Sequence, residues 1–349
     1  MFDKLMNNYY FGKSGKSDYS PDDLPTNRWQ QFWEMLRIRF SALVRLNLIY
    51  VVVWIPLLLL LMTTAMGYTN VSSMVPWALD ETTGTYYVDE TLVGTPVMTR
   101  DQEGNEVESG LTYVTSEDAD EMTHTLLTML VFLLIPCIAI TGPATAGVCY
   151  VTRNWARDEH AFIWSDFKDA VKANWKQSLL VSLITSLIPA VVYMCWQFYG
   201  EMSATQPLMA IPQVLVLMAG VVWALAVTYM HPLIVSYDLK FRDIMRNAFL
   251  LAIARLPMSA GIRLLHALPM VLFVILYLFT PGWGMLVPFI WYVLIGLTLS
   301  RFITASYTNA VFDRFINSRI EGATVNRGLN LNADEDDDED DEDEDAPEA

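Results

Sequence analysis

Of the 22 Lys and Arg residues in this chain, 21 fall on one side of six long apolar segments, and that alternation restricts the fold to a polytopic membrane protein. The apolar segments run over 40–66, 125–151, 178–199, 208–236, 256–279 and 285–306. Each reaches the roughly 20 residues that a helix needs to cross about 30 Å of hydrocarbon. The connection 67–123 carries twelve Asp and Glu against a single basic residue, Arg100. The positive-inside rule therefore puts both termini and the basic loops in the cytoplasm and 67–123 outside. The expected order is a cytoplasmic N-terminal segment (1–39), a six-span domain (40–306), a cytoplasmic segment (307–333) and an acidic tail (334–349). The fold class is all-α, in the cell membrane, with the first span a retained signal anchor because residues 1–39 are too polar for a cleaved leader.

The net charge of −17 is local in origin. Residues 334–348 hold 13 acids and the outer connection contributes −11, which leaves +7 for the rest, mostly beside the inner membrane face. Anionic lipid headgroups are the natural counterpart of that face, and nothing in this balance calls for nucleic acid. The tail has no apolar residue to bury and is expected to be disordered. Cys137, Cys149 and Cys195 all lie inside spans, so no disulfide framework is expected.

A short pattern precedes the first, third and fifth spans. It reads Phe32, Glu34, Arg37 and Phe40; Phe167, Asp169, Lys172 and Trp175; and Phe241, Asp243, Arg246 and Phe249. Apolar residues at relative positions 0, 3, 4 and 8 share one helix face. The acid and base three apart can pair on the other. These segments are expected to be amphipathic elbow helices in the cytoplasmic interface, giving three units of elbow, span, span. The outer connection is β-prone at 85–88, 96–99 and 111–115, with turn residues at 103–105, which predicts a hairpin or a three-stranded insert.

Catalytic and metal-binding patterns are missing. The Gly-Lys-Ser repeats at 12–17 lack the first glycine and the preceding strand of a phosphate loop. His124, His160, His231 and His266 have no ligand spacing. Asp101, Glu103 and Asn105 match no complete calcium loop. The expectation is a non-enzyme without metal or cofactor. No carboxylate lies deep within the second, third or fourth span, which disfavours cation-coupled transport. Arg45, Arg263 and Arg301 are the deepest charges, and Arg301 stands among Thr298, Ser300, Thr304 and Ser306. In the second span Gly142, Pro143, Ala144, Thr145, Ala146 and Gly147 form either a close-packing stripe or, with Arg301, the lining of a pathway.

The stretch 140–183 resembles the YesL-like family of bacterial membrane proteins. The resemblance rests on Gly142-Pro143-Ala144-Thr145-Ala146, Arg157-Asp158-Glu159, Asp166-Phe167 and Trp175-Lys176-Gln177, with Tyr237-Asp238, Phe241 and Asn247 as a second block. It implies no catalytic residues and no established activity; members are encoded beside carbohydrate uptake systems, which implies a role in sugar acquisition. Three readings follow. The first is a non-enzymatic accessory or scaffold component associated with carbohydrate uptake, partnered with permease subunits of a sugar transporter. The second is an autonomous channel or transporter for a neutral solute, and the third is a sensor using the outer insert.

Overall fold

Two prolines decide where the helices break. A proline ring clashes with the carbonyl four residues earlier and offers no N–H, so a helix entering Pro143 or Pro257 tends to end just before it. In the computed structural model the helix before Pro143 ends at Ala139 and the helix before Pro257 ends at Ala254. Thr141 Oγ1 donates to Ile138 O (2.8 Å) at the first break and Ser259 Oγ to Arg255 O (2.9 Å) at the second, so nearby hydroxyls take up the carbonyls. The structure describes residues 24–330, apart from positions 83 and 102 and the side chains of 281, 282 and 285. The 12–17 segment and the acidic tail lie outside the described residues.

The helices are α1 (Arg28–Ser73), α2 (Ser116–Ala139), α3 (Thr141–Ala156), α4 (Ser165–Thr205), α5 (Ala210–Ser236), α6 (Phe241–Ala254), α7 (Leu256–Phe279), α8 (Pro281–Trp291) and α9 (Leu297–Phe315), with a π-helical turn over Tyr292–Gly296 joining the last two. Among the described residues six helices are long and apolar enough to cross a bilayer, as an all-α polytopic membrane protein requires. Asn27 caps α1 by accepting from Gln30 N at 2.9 Å. At 1.5 Å per residue the 46 residues of α1 extend about 70 Å, more than twice the hydrocarbon thickness. Its charged first turns therefore project beyond the apolar layer.

Three differences from the sequence expectations follow. The apolar run 125–151 is not one helix, because Pro143 divides it into a crossing helix, α2, and a separate helix, α3. The first two elbow segments are not separate helices but the opening turns of α1 and α4, since no proline stands between them and their spans. Only the third, α6, is set off, by Arg255 and Pro257. Lastly, Asp169 with Lys172 and Asp243 with Arg246 do not come within ion-pair distance. Exposed pairs of this kind gain little over solvation by water.

The outer connection forms two hairpins rather than one insert. Strand β1 (Trp77–Leu79) pairs with β2 (Tyr86–Val88), and β3 (Pro96–Arg100) with β4 (Glu106–Thr112), both antiparallel. The β3–β4 turn is closed by Asp101, whose carboxylate accepts from Glu103 N (2.9 Å) and Asn105 N (2.8 Å) while Gly104 takes φ +88°. Val114 N donates to Met74 O (2.9 Å), and this ties the hairpins to the end of α1.

Burial is concentrated at the end of the bundle that carries the basic loops. In α1 the buried side chains run from Gln31 to Tyr50, with only Val71 beyond. In α5 they begin at Leu225, and in α7 only Ser259 is buried. Val52, Leu59, Met62, Leu215, Met218, Val271 and Phe279 are all exposed, an apolar exterior that suits hydrocarbon rather than water. At the basic end α3 fills the centre, with 13 of its 16 residues buried. One side of it enters the buried cluster of Tyr229, Met230, Ile244 and Phe312, the other that of Leu43, Tyr50, Phe167 and Phe302.

Candidate functional site

The small-residue stripe predicted from the sequence lies on α3, where it faces α4. A Cβ on Gly142 would run into the carbonyl of Ser178 and the hydroxyl of Ser182; one on Gly147 would meet the Phe167 ring at 2.6 Å. Ser178 Oγ donates to Gly142 O at 2.5 Å. Thr145 receives the Tyr50 hydroxyl at 2.7 Å, its own proton being committed to Thr141 O. Ala144 and Ala146 are buried in the two core clusters on either side, and Pro143 opens the helix.

Arg301 projects from α9 into a cavity of about 200 Å³ between α1, α7, the π-helical turn and α9. The cavity exists because the chain is wound more loosely at Tyr292–Gly296 than in a regular helix, a device common at functional positions. Asn47, fully buried on α1, holds that turn in place. Its amide donates to Tyr292 O (2.9 Å) and Val293 O (2.7 Å), and its oxygen accepts from Thr298 N (2.9 Å). Both amide hydrogens and the acceptor are thereby used, as a buried asparagine requires.

Five ionisable groups gather around Arg301 toward the basic end of the spans. Arg263 of α7, His266 of α7 and His231 of α5 all lie within its electrostatic reach, as do Tyr50 and Cys149. His266 Nε2–H donates to Ser300 O (3.0 Å), with Thr304 Oγ1 at 3.4 Å, and so links α7 to α9. His231 contacts Ser182 Oγ at 3.4 Å. Among the described residues no carboxylate is paired with Arg263 or Arg301. The cluster therefore holds uncompensated positive charge beside hydrocarbon.

The carboxylates gather instead below it, at the basic end. Asp313 is buried and accepts from Arg28 Nη2 (2.5 Å), Asn317 Nδ2 (2.6 Å) and Asn326 N (3.1 Å), with Arg157 Nη1 at 4.0 Å. Glu159 pairs with Arg157 and Arg327, each at 3.2 Å. Tyr237 donates to Asn317 Oδ1 at 2.7 Å, and burial pushes its hydroxyl up to about 12. This network fastens the segment after α9 to the start of α1 and the end of α3. Asn47 and Asp313 are single polar residues in apolar or charged runs, and no local spacing singles them out.

The elbow residues lie apart from this cluster. Phe32 packs on Phe302 (ring centres 5.5 Å apart), Phe167 is buried against Gly147, and Phe249 meets Trp223 (5.7 Å). The leading aromatic of each segment thus turns into the bundle rather than into the membrane interface, because neighbouring helices offer it apolar surface, whereas Phe40 and Trp175 at the far end of the first two stay exposed. Phe241 is half-buried against the same core. Arg37, Asp169, Lys172, Trp175 and Arg246 are exposed, while Glu34 and Asp243 are partly covered.

The helices around the stripe carry the likeness to known proteins. The family model described as "Protein of unknown function, DUF624" matches residues 122–196, from α2 through α3 into α4. The uncharacterized protein YesV of Bacillus subtilis (strain 168) is 29% identical over 163 residues, 46% of this chain and 74% of its own length. The uncharacterized protein YesL of the same organism is 28% identical over 124 residues, 34% of this chain and 57% of its own length, so the chain spans just over half of that relative. No solved structure matches. These matches support the resemblance to the YesL-like family.

Proposed function

We propose that this protein is a non-enzymatic component that assists a membrane transport system, carbohydrate uptake in the first place, rather than a conduit in its own right. The observation that carries the reading is the position of α3. A self-sufficient channel has to keep its axis clear, and here the centre of the bundle is occupied by a helix whose glycines are in van der Waals contact with α4. The association with sugar acquisition comes from the YesL-like resemblance.

In this reading the basic end faces the cytoplasm by the positive-inside rule and offers the docking surface. Trp29, Trp33, Trp164 and Trp175 are exposed there beside Arg37, Lys168 and Lys172, a combination suited to anionic headgroups and to a permease subunit. Because Phe167 is buried, exposed Trp164 and Trp175 are the residues to vary.

The test is to solubilise native membranes gently, retrieve the chain by a tag placed after Asn330, and identify co-purifying proteins by mass spectrometry. Permease or solute-binding subunits recovered with the natural chain and lost with Trp164→Asp plus Trp175→Asp support the reading. A partnerless preparation, with sugar flux in proteoliposomes, overturns it in favour of an autonomous pathway.

A further inference from the structure

The Arg301 cavity is lined by hydrogen-bond donors and a few hydroxyls, with no carboxylate among its lining residues. Among the described residues Arg301 has no carboxylate partner and meets only the Tyr50 hydroxyl in its electrostatic surroundings as a hydrogen-bond partner, while a second guanidinium, Arg263, stands within electrostatic reach outside the cavity lining. Trp54 lines the cavity as well, and its indole N–H is buried with no partner among the described residues. His266 directs its Nε2–H at Ser300 O, which fixes the wall between α7 and α9. A buried donor left unmatched costs about 1–3 kcal/mol, more when charged. Unpaired cations within a span are functional by default.

The surroundings narrow the ligand. A volume of about 200 Å³ falls below the roughly 300–1,000 Å³ of usual small-molecule sites, which suits a phosphate-sized group better than a sugar. Trp291, Tyr292, Ser300 and Arg301 are each partly exposed and Leu265 on α7 is 45% exposed, so the cavity opens through the side of the bundle toward lipid. Basic pockets between spans on the inner side are suited to anionic lipid headgroups.

We propose that the cavity between α1, α7 and α9 is a binding site for a phosphate ester of net negative charge, held by Arg301 and the Trp54 N–H. The lateral opening makes a phospholipid of the inner leaflet the source. The inference holds whether or not the protein is a transport accessory.

The test uses the full chain in neutral detergent and counts retained lipid by native mass spectrometry after exposure to equal phosphatidylglycerol and phosphatidylcholine. The natural chain is expected to keep phosphatidylglycerol about tenfold better, the worth of one charge-assisted hydrogen bond. Arg301→Gln should abolish the preference, and Arg242→Gln, at the exposed basic end, should leave it. If Arg301→Gln does not fold, Trp54→Phe keeps the packing, removes only the donor, and should reduce the preference about two- to threefold. Displacement of the lipid by millimolar glycerol 3-phosphate would move the source to a soluble ester at the same site. Equal retention of the two lipids together with no glycerol 3-phosphate binding overturns the proposal, as does a preference that survives both Arg301→Gln and Trp54→Phe.

Discussion

Asn47 and Thr298 stand 251 positions apart and hold each other at the centre of the bundle, with the Thr298 N–H donating to Asn47 Oδ1 at 2.9 Å and the Thr298 hydroxyl donating to Leu43 O of the same helix at 3.0 Å. The amide side of Asn47 is meanwhile spent on the π-helical turn. One buried side chain thus decides how α1 meets the last span and keeps the Arg301 cavity open.

Asn47→Leu should lower stability by about 2–4 kcal/mol, since it strands two carbonyls and an N–H in an apolar interior. Titration with a denaturing detergent would measure it. Thr298→Val, which keeps the backbone N–H, should cost less than half as much; equal costs would mean that Asn47 acts through its volume alone.

The α3–α4 contact predicts opposite outcomes for chemically identical changes. Gly142→Ala places a methyl group against the backbone carbonyl of Ser178 and should destabilise by about 1–3 kcal/mol. Gly261→Ala, on α7 with nothing within 4 Å of its Cβ, should be neutral or stabilising by up to about 1 kcal/mol. Thermal melts of the two variants side by side would decide it, and similar values would count against close packing at Gly142.

Asp313→Asn removes the charge shared by Arg28 and Arg157 while keeping most of the volume. Loss of one partner from a largely buried pair costs up to about 3–5 kcal/mol, and the partial exposure of Arg28 brings the expectation to about 2 kcal/mol. The effect should appear as faster hydrogen exchange at 24–31 and 317–330, with the outer ends of α1 and α4 unchanged. Uniform acceleration across the chain would place Asp313 in global stability instead.

The Asp101 turn predicts a pH dependence. The Asn105 backbone hydrogen bond, with those of Glu103 and Gly104 and the Asn105 side chain, holds this carboxylate below the ordinary Asp value. A lowered folded value means that the ionised form favours the turn. Its contribution is complete above the ordinary Asp range and disappears as pH falls through the lowered value. Amide resonances of Glu103 and Asn105 should titrate below the ordinary Asp value, and Asp101→Asn should abolish that step. Titration of those amides at or above the ordinary Asp value would contradict the assignment.

Much of the architecture was readable before any coordinates because it rests on local properties. Hydropathy over 20 residues located six crossings, and residues 85–88 and 96–99 announced strands through their β-branched and aromatic content. The first strand, Trp77–Leu79, and the Glu-rich half of β4 carry no such signal, because pairing across a hairpin rather than composition makes them strands. Pro143 was visible, yet whether it kinks a helix or ends it depends on what receives the freed carbonyl. Pro56, Pro136, Pro189, Pro232 and Pro269 all sit inside continuous helices.

The cluster around Arg301 was half legible. Arg301 stood out as a charge in an apolar run, and its neighbourhood of Thr298, Ser300 and Thr304 did too. Its association with Arg263, His231 and His266 could not be read, because the four residues come from three helices whose rotations no single segment specifies. The same holds for Asp313, which looks like one surface acid among many until Arg28 and Arg157 are placed beside it.

By itself, then, the sequence determined that this chain carries six segments apolar enough to cross a membrane and which loops are basic, because the cost of a residue in hydrocarbon is set locally and summed along one helix. Only the tertiary structure decided that α3 fills the centre, that the leading elbow aromatics turn inward, and that Arg301 and Arg263 approach each other with no acid beside them. Those outcomes depend on which side chains from distant segments satisfy one another, a condition met through space and not along the chain.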